Sequence, residues 1–249
     1  MTDQVTTELP AALRRALDLL IDPPSDPDVS KGYLDLLAGQ PATESAPAKN
    51  TGVIQAAWAS GIGSMLYDNM QAIARTVVGA WQLPIDWLNI PADGVALDVG
   101  SGPGNVTASL ARAAGPHGLA LGVDISEPML ARAVRAEAGP QVGFVRADAQ
   151  RLPFRDETFD AVVSIAMLQL IPKPDAALAE MVRVLRPGAR MAVMVPTAGR
   201  AGALMRLLPD GGAHFFTDDE IADTLEDLGL VRVRSKSLGT IQWVRGKRP

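Results

Sequence analysis

Two hydrophobic periods divide the chain. Leu9, Leu13, Ala16, Leu17 and Leu20 recur at helical spacing, framed by Pro10 in a first-turn position and by the stop Pro23-Pro24, which predicts an amphipathic helix over 8–21. A short second helix is predicted near Tyr33 to Leu37. From Ala38 to Gly52 the chain carries Gly39, Pro41, Ser45, Pro47 and Gly52 with little to bury, which is linker composition. Two further helical patterns cover about Val53 to Ser60 and Ser64 to Trp81. Residues 1–90 therefore read as an N-terminal helical appendage, or lid, with its linker near 38–52.

From Val95 onward short continuous apolar runs alternate with helical patterns. Val95 to Val99, Leu119 to Asp124, Val142 to Arg146, Ala161 to Ile165 and Ala189 to Val195 predict five buried strands. Helices are predicted at Asn105 to Ala114, Glu127 to Ala138 and Asp175 to Leu185. Strand and helix in alternation imply a parallel sheet covered on both faces. A last helix at about Asp218 to Leu228 precedes two strands, Leu230 to Lys236 and Thr240 to Gly246, whose short connection through Gly239 favours an antiparallel hairpin. The predicted fold is α/β: a Rossmann-like doubly wound sheet over 91–249, mostly parallel with an antiparallel C-terminal hairpin, plus the helical appendage.

Composition narrows the chemistry. With 249 residues, 47% hydrophobic and 20% charged, the chain can bury a large core and is neither a disordered tail nor a membrane bundle. Its 28 acids against 23 bases argue against a surface built to neutralise nucleic-acid phosphates. Zero cysteines remove disulfides, thiolate nucleophiles and cysteine-ligated metals, and the two histidines, His117 and His214, are too isolated for a metal centre, so none is expected. The opening residues include Asp3 and Glu8 and lack the order of a signal peptide, and no apolar run approaches the roughly 18 residues of a spanning helix. A cytoplasmic protein is expected.

In a doubly wound sheet the ligand lies outside the carboxyl ends of the strands, near the switch in strand order. After the first of the five strands comes Asp98-Val99-Gly100-Ser101-Gly102-Pro103-Gly104-Asn105, whose alternate glycines let a ligand approach bare main chain. The second strand ends at Asp124, where a carboxylate can accept from ribose hydroxyls, and Ser126 is the natural cap of the following helix. The third ends at Arg146-Ala147-Asp148-Ala149. Three strand tips carrying acids suit a neutral or cationic ligand with a ribose and an adenine better than a diphosphate.

These residues resemble the class I S-adenosylmethionine-dependent methyltransferases. The resemblance rests on Val95 to Gly104, Asp124-Ile125-Ser126 with Met129-Leu130, and Asp148-Ala149 with Leu152-Pro153-Phe154. It continues through Phe159 to Ser164 and Arg183-Val184-Leu185-Arg186-Pro187-Gly188. Within that family the chain is similar to the ubiquinone and menaquinone methyltransferase group. The resemblance implies S-adenosylmethionine as cofactor, with Gly100, Ser101, Gly102, Gly104 and Asn105 shaping the loop under its methionine end and Asp98 near its amino group. It further implies that Asp124 holds the ribose, Ile125 and Met129 pack on adenine, Asp148 and the Ala149 backbone meet the adenine amino group, and Ser164 to Ala166 line the reacting end.

One departure is plain: many relatives have a paired histidine where this chain reads Leu168-Gln169-Leu170, and Gln169 cannot take a proton at neutral pH. No catalytic base is assigned. Trp58, Tyr67, Gln169 and His214 are candidates for the acceptor side. A sulfonium methyl is already activated, so positioning alone can supply on the order of 7 to 11 kcal/mol in favourable cases. The expected reaction is in-line methylation of oxygen, carbon or nitrogen on a small, partly hydrophobic or lipid-like acceptor.

Two alternatives stand beside this one. A nicotinamide-dependent oxidoreductase would share the sheet, but its third glycine would fall at Asn105. A non-catalytic S-adenosylmethionine-binding protein would keep the loop and turn nothing over. Arg232, Arg234, Lys236, Arg245, Lys247 and Arg248 make the carboxyl end basic with no acid among its last twenty residues. That fits peripheral contact with anionic lipid at most, or simple solvation of an edge strand. A homodimer is left open.

Overall fold

The structure is a computed structural model that describes residues 9–38, 85–196, 216–238 and 241–249. One eight-stranded sheet organises them: β1 (Leu34–Asp35), β2 (Val95–Val99), β3 (Leu119–Asp124), β4 (Val142–Arg146), β5 (Phe159–Ile165), β6 (Leu185–Pro196), β7 (Val231–Leu238) and β8 (Ile241–Lys247). The strand order is β1-β4-β3-β2-β5-β6-β8-β7. All pairings are parallel as far as β6, and β8 then runs antiparallel to both β6 and β7. The chain builds outward from β2 through β3 and β4, then returns to place β5 on the other side of β2, so the switch in strand order lies between β2 and β5.

The helices are α1 (Ala11–Leu17), α2 (Ile85–Leu88), α3 (Asn105–Ala114), α4 (Glu127–Glu137), α5 (Pro174–Val184) and α6 (Glu220–Asp227). Alternation along the buried strands sends their side chains into two cores. Leu97, Val99, Leu121, Val123, Val162 and Val193 belong to one, together with α1, α5 and α6 residues; Ala96, Ala120, Phe144, Val163 and Ala192 belong to the other, with α3 and α4 residues. Both faces of the central strands are thus dry, as their continuous apolar runs require. Among the described residues no helix is long and apolar enough to cross a membrane.

Two expectations for the N-terminal region need correction. The segment near Tyr33 to Leu37 is not helical: Leu34 and Asp35 form a strand in parallel register with Val145 and Arg146. The Arg146 guanidinium bonds both oxygens of Asp35 at 3.3 and 3.2 Å, and that carboxylate is 2% exposed. The partner lies 111 residues away, which a local periodicity cannot register. The described part of the expected appendage is also no appendage. Ala12, Leu13, Ala16, Leu20 and Leu34 sit in the larger core beside Leu121 and Val145, so this segment completes the sheet and its cover. The first helix is shorter than predicted, ending at Leu17, and Leu20 bridges to Phe154. The helical patterns at Val53 to Ser60 and Ser64 to Trp81 lie outside the described residues.

Candidate active site

β2 delivers Asp98-Val99 to the switch point, and the chain turns into α3 through Gly100, Gly102 and Gly104 at φ of 79°, 50° and 89°. These left-handed values disfavour side chains, and the surroundings leave no room for them. A β-carbon on Gly100 would stand 2.4 Å from Met167 Cβ, and one on Gly104 would stand 2.7 Å from Phe144 Cζ. The turn is fastened to β3: the Gly100 and Ser101 amides both donate to the Val123 carbonyl, at 2.8 and 3.0 Å. The Gly102 amide donates to Asp124 Oδ2 at 2.8 Å.

Asp124 works on both sides of its strand tip. Its Oδ1 accepts the Ser126 amide at 2.8 Å, while the Ser126 hydroxyl makes no capping bond at the start of α4. The expectation that Ser126 caps this helix is therefore corrected. Burial pushes the Asp124 carboxyl above its ordinary range, and the amides of Ser126, Gly102 and Ile125 pull it back. Each carboxylate oxygen has a second lone pair, so the oriented group can still accept from vicinal hydroxyls.

Asp98 lies deeper, 1% exposed, and its Oδ2 accepts the Thr107 hydroxyl at 2.7 Å. Burial pushes its pKa up to about 7, with the Thr107 bond opposing and the Asp124 charge assisting. A buried acid poised at neutrality favours a cation beside it. Thr107 was missed from the sequence; its only signal is a hydroxyl residue on the first turn of the helix after the glycine turn.

Asp148 lies two residues past β4, next to the Asp124 strand through the Ala147 amide, which donates to the Asp124 carbonyl at 3.3 Å. Its carboxylate accepts the Gln150 amide at 2.9 Å and the Gln150 side chain at 3.1 Å. Ile125 is an exposed large apolar residue at this edge, and Met129 and Ala149 are half-buried. Asn105 opens α3 with its side chain in solvent. Asp98, Gly100 to Asn105, Asp124, Ile125 and Asp148 are thus brought to one edge of the sheet.

Ser164 is placed differently from expectation. It lies inside β5 and not after it, and it is fully buried. The crevice edge is instead reached at Ala166, whose φ is 53°. Gln169 follows in a 3-10 turn (Leu168–Leu170), where its Nε2 donates to the Ala166 carbonyl at 2.6 Å. Met167, not singled out from the sequence, closes over Gly100. Trp58, Tyr67 and His214 lie outside the described residues.

Among the described residues, Ser101 Oγ, Ser164 Oγ and Gln169 Oε1 are buried without a hydrogen-bond partner, as are Tyr33 Oη and Gln242 Oε1 elsewhere. An unmet buried polar atom costs about 1–3 kcal/mol, and Ser101 Oγ and Gln169 Oε1, beside the glycine turn and the 3-10 turn after β5, are placed where a ligand can complete the set. The left-handed glycines, the paired acids and these orphaned oxygens fit a cofactor with a ribose and a cationic amino-acid end.

The comparisons with known proteins agree. A family model described as a methyltransferase domain matches residues 97–193. The demethylmenaquinone methyltransferase of Roseiflexus castenholzii is 41% identical over 174 residues, covering 60% of this chain and 73% of that protein. The 2-phytyl-1,4-naphtoquinone methyltransferase of Thermosynechococcus vestitus is 36% identical over 114 residues, covering 45% of this chain and 51% of that one. The chain thus spans about half the length of the latter. Among solved structures, the magnesium protoporphyrin IX methyltransferase of Synechocystis with bound SAH shares the fold, at a TM-score of 0.54 and 22% identity, covering 70% of this chain and 83% of that one.

Proposed function

We propose, for a chain that belongs to the class I S-adenosylmethionine-dependent methyltransferases of the ubiquinone/menaquinone type, that it methylates a small hydrophobic acceptor of the quinone-precursor class. The observation that carries the cofactor part of this reading is the convergence of the Gly102 and Ser126 amides on Asp124, which fixes a carboxylate at the β3 tip beside bare main chain; the acceptor class is supported by the relatives. S-adenosylmethionine, when bound, supplies a methyl group already activated by its sulfonium charge.

The chain's own residues orient and exclude water. Asp124 accepts from the ribose hydroxyls, Ile125 and Met129 flank the adenine, and Asp148 with Ala149 meets its amino group. Asp98, behind the glycine turn, favours the ammonium end. Gln169 has its amide nitrogen engaged and its Oε1 free to accept, so it hydrogen-bonds an acceptor hydroxyl and abstracts no proton. The quinone class is supported by the relatives' names, and the oxidoreductase alternative finds no support in them.

The test is methyl transfer from labelled S-adenosylmethionine to demethylmenaquinone, with the protein's cofactor affinity measured separately. Label in the quinone is expected. Tight cofactor binding without transfer to any quinone precursor would overturn the acceptor class and leave the cofactor site standing.

A further inference from the structure

The antiparallel end of the sheet carries a face unlike the rest of the molecule. Residues directly opposite on paired strands point to the same side, and β8 places Arg245 against Arg234 of β7, Lys247 against Arg190 of β6, and Trp243 against Lys236 of β7. Five cations therefore share one face of three strands. Over four residues of β8 and two strand spacings, the patch spans about 13 by 10 Å.

Arg234, Lys236, Arg245 and Lys247 make no ion pair among the described residues. Several arginines elsewhere find acids: Arg183 pairs with Glu180 and Asp156, Arg186 with Asp160, and Arg248 with Glu157. Here two like-charged pairs stand directly opposite each other, which costs stability. The guanidinium carbons of Arg190 and Arg245 lie over the Trp87 ring at 5.2 and 5.0 Å, and that ring holds them without neutralising them.

Protection of a sheet edge explains cations on β7. It does not explain Arg245 and Lys247 on β8 or Arg190 on β6, which are interior strands. The strand end of the same face is apolar: Leu238, 53% exposed, stands opposite Ile241, next to the Lys236–Trp243 pair. With Arg234, Lys236 and Leu238 exposed, and Arg190, Arg245 and Lys247 half-buried behind them, a cationic field edged by aliphatic and aromatic residues matches a bilayer surface, where ammonium and guanidinium groups meet headgroup phosphates and the apolar edge enters the interface. A nucleic acid would leave that apolar edge without a partner.

We propose that this face docks the protein onto anionic phospholipid headgroups. The inference rests on charge and register and stands whatever the methyl acceptor is. The test is sedimentation of the full chain with phosphatidylcholine vesicles, with and without phosphatidylglycerol. Binding is expected only to the anionic vesicles and is lost on raising salt. Arg234→Ala with Lys236→Ala should weaken it about thirtyfold, each basic residue near such a surface being worth about fivefold. Arg112→Ala with Arg135→Ala, the same change in charge on exposed positions elsewhere, should leave it within about threefold. Cofactor affinity should be unchanged in both. As a readout free of variants, residues 231–247 should gain protection from hydrogen exchange on anionic vesicles. No binding to anionic vesicles, equal losses in the two double variants, no protection at 231–247, or preference for duplex DNA or polyglutamate would each overturn the proposal.

Discussion

The Gly102 amide donates to Asp124 Oδ2 across 2.8 Å, joining the turn after β2 to the tip of β3. The same carboxylate also takes the Ser126 amide, so one acid sets the loop, the start of α4 and the direction of its own remaining lone pairs. Asp124→Ala should weaken S-adenosylmethionine binding at least about tenfold, because charge-assisted hydrogen bonds are worth roughly 1.5–3 kcal/mol each. Isothermal titration of variant and parent checks it; unchanged affinity would mean that the ribose is held by other residues.

Asp98 carries a pH signature. Its carboxyl has a reference pKa of 3.8 and is pushed by burial to about 7 in the folded chain. Between those values the folded state holds a proton that the unfolded state has lost. This contribution is therefore full below about pH 4, is lost as pH rises to about 7, and is level beyond. The total is on the order of 4 kcal/mol. Asp98→Asn should flatten that slope and raise the melting temperature of the ligand-free protein at pH 8, while weakening cofactor binding through loss of the carboxylate. Thermal unfolding at pH 5 and pH 8 decides it, and a variant with the parent's slope would refute the assignment.

Gly104 is both strained and crowded. Its backbone is left-handed, φ 89° and ψ −2°, and a β-carbon there would meet Phe144 at 2.7 Å and Ala133 at 3.1 Å. Gly115 has space, with nothing within 4 Å of such a β-carbon, but its φ of 83° with ψ of −175° belongs almost to glycine alone. Gly115→Ala should cost about 1–3 kcal/mol from conformation alone. Gly104→Ala should cost about 1–2 kcal/mol from conformation and about 1–3 kcal/mol more through overpacking. Denaturant titration measures both, and a Gly104→Ala loss of no more than about 1 kcal/mol would show that Phe144 yields freely.

The central strands were legible because buried parallel strands declare themselves locally. β2, β3 and β4 fall on the residues that the apolar runs predict, and the glycine turn follows from its place between strand and helix. What escaped depends on distant partners. β1 is two residues long and is held by Arg146 from across the chain. Thr107 gains meaning only once α3 lies against β2 and its hydroxyl meets Asp98. Ser126 stands at the N-cap of α4 with the chemistry of a cap, yet its hydroxyl makes no capping bond, and Pro128 in the first turn has no amide to offer it. Ser164 falls in the strand that the apolar run predicts, and only the packed sheet shows that it is fully buried there.

The Arg183 to Gly188 strip looked like part of the family signature, and in the structure Arg183 is a fastening. Its Nε and Nη2 donate to the two oxygens of Glu180 at 2.8 Å each, and its Nη1 donates to Asp156 at 2.6 Å and to the Phe154 carbonyl at 2.8 Å. Nη2 also reaches the Leu152 carbonyl at 3.0 Å, while Glu180 accepts the Leu152 amide at 2.8 Å. The guanidinium thus ties α5 to the connection between β4 and β5 by a planar set of donors that an ammonium cannot reproduce. Arg183→Lys keeps the charge and loses most of that geometry, so it should destabilise the fold by about 2–3 kcal/mol. Cofactor affinity of the folded variant should change by less than about threefold, because none of these bonds touches the β2 and β3 tips. Denaturant unfolding together with cofactor titration separates the two quantities. A large loss of affinity with stability intact would assign Arg183 to the cofactor site.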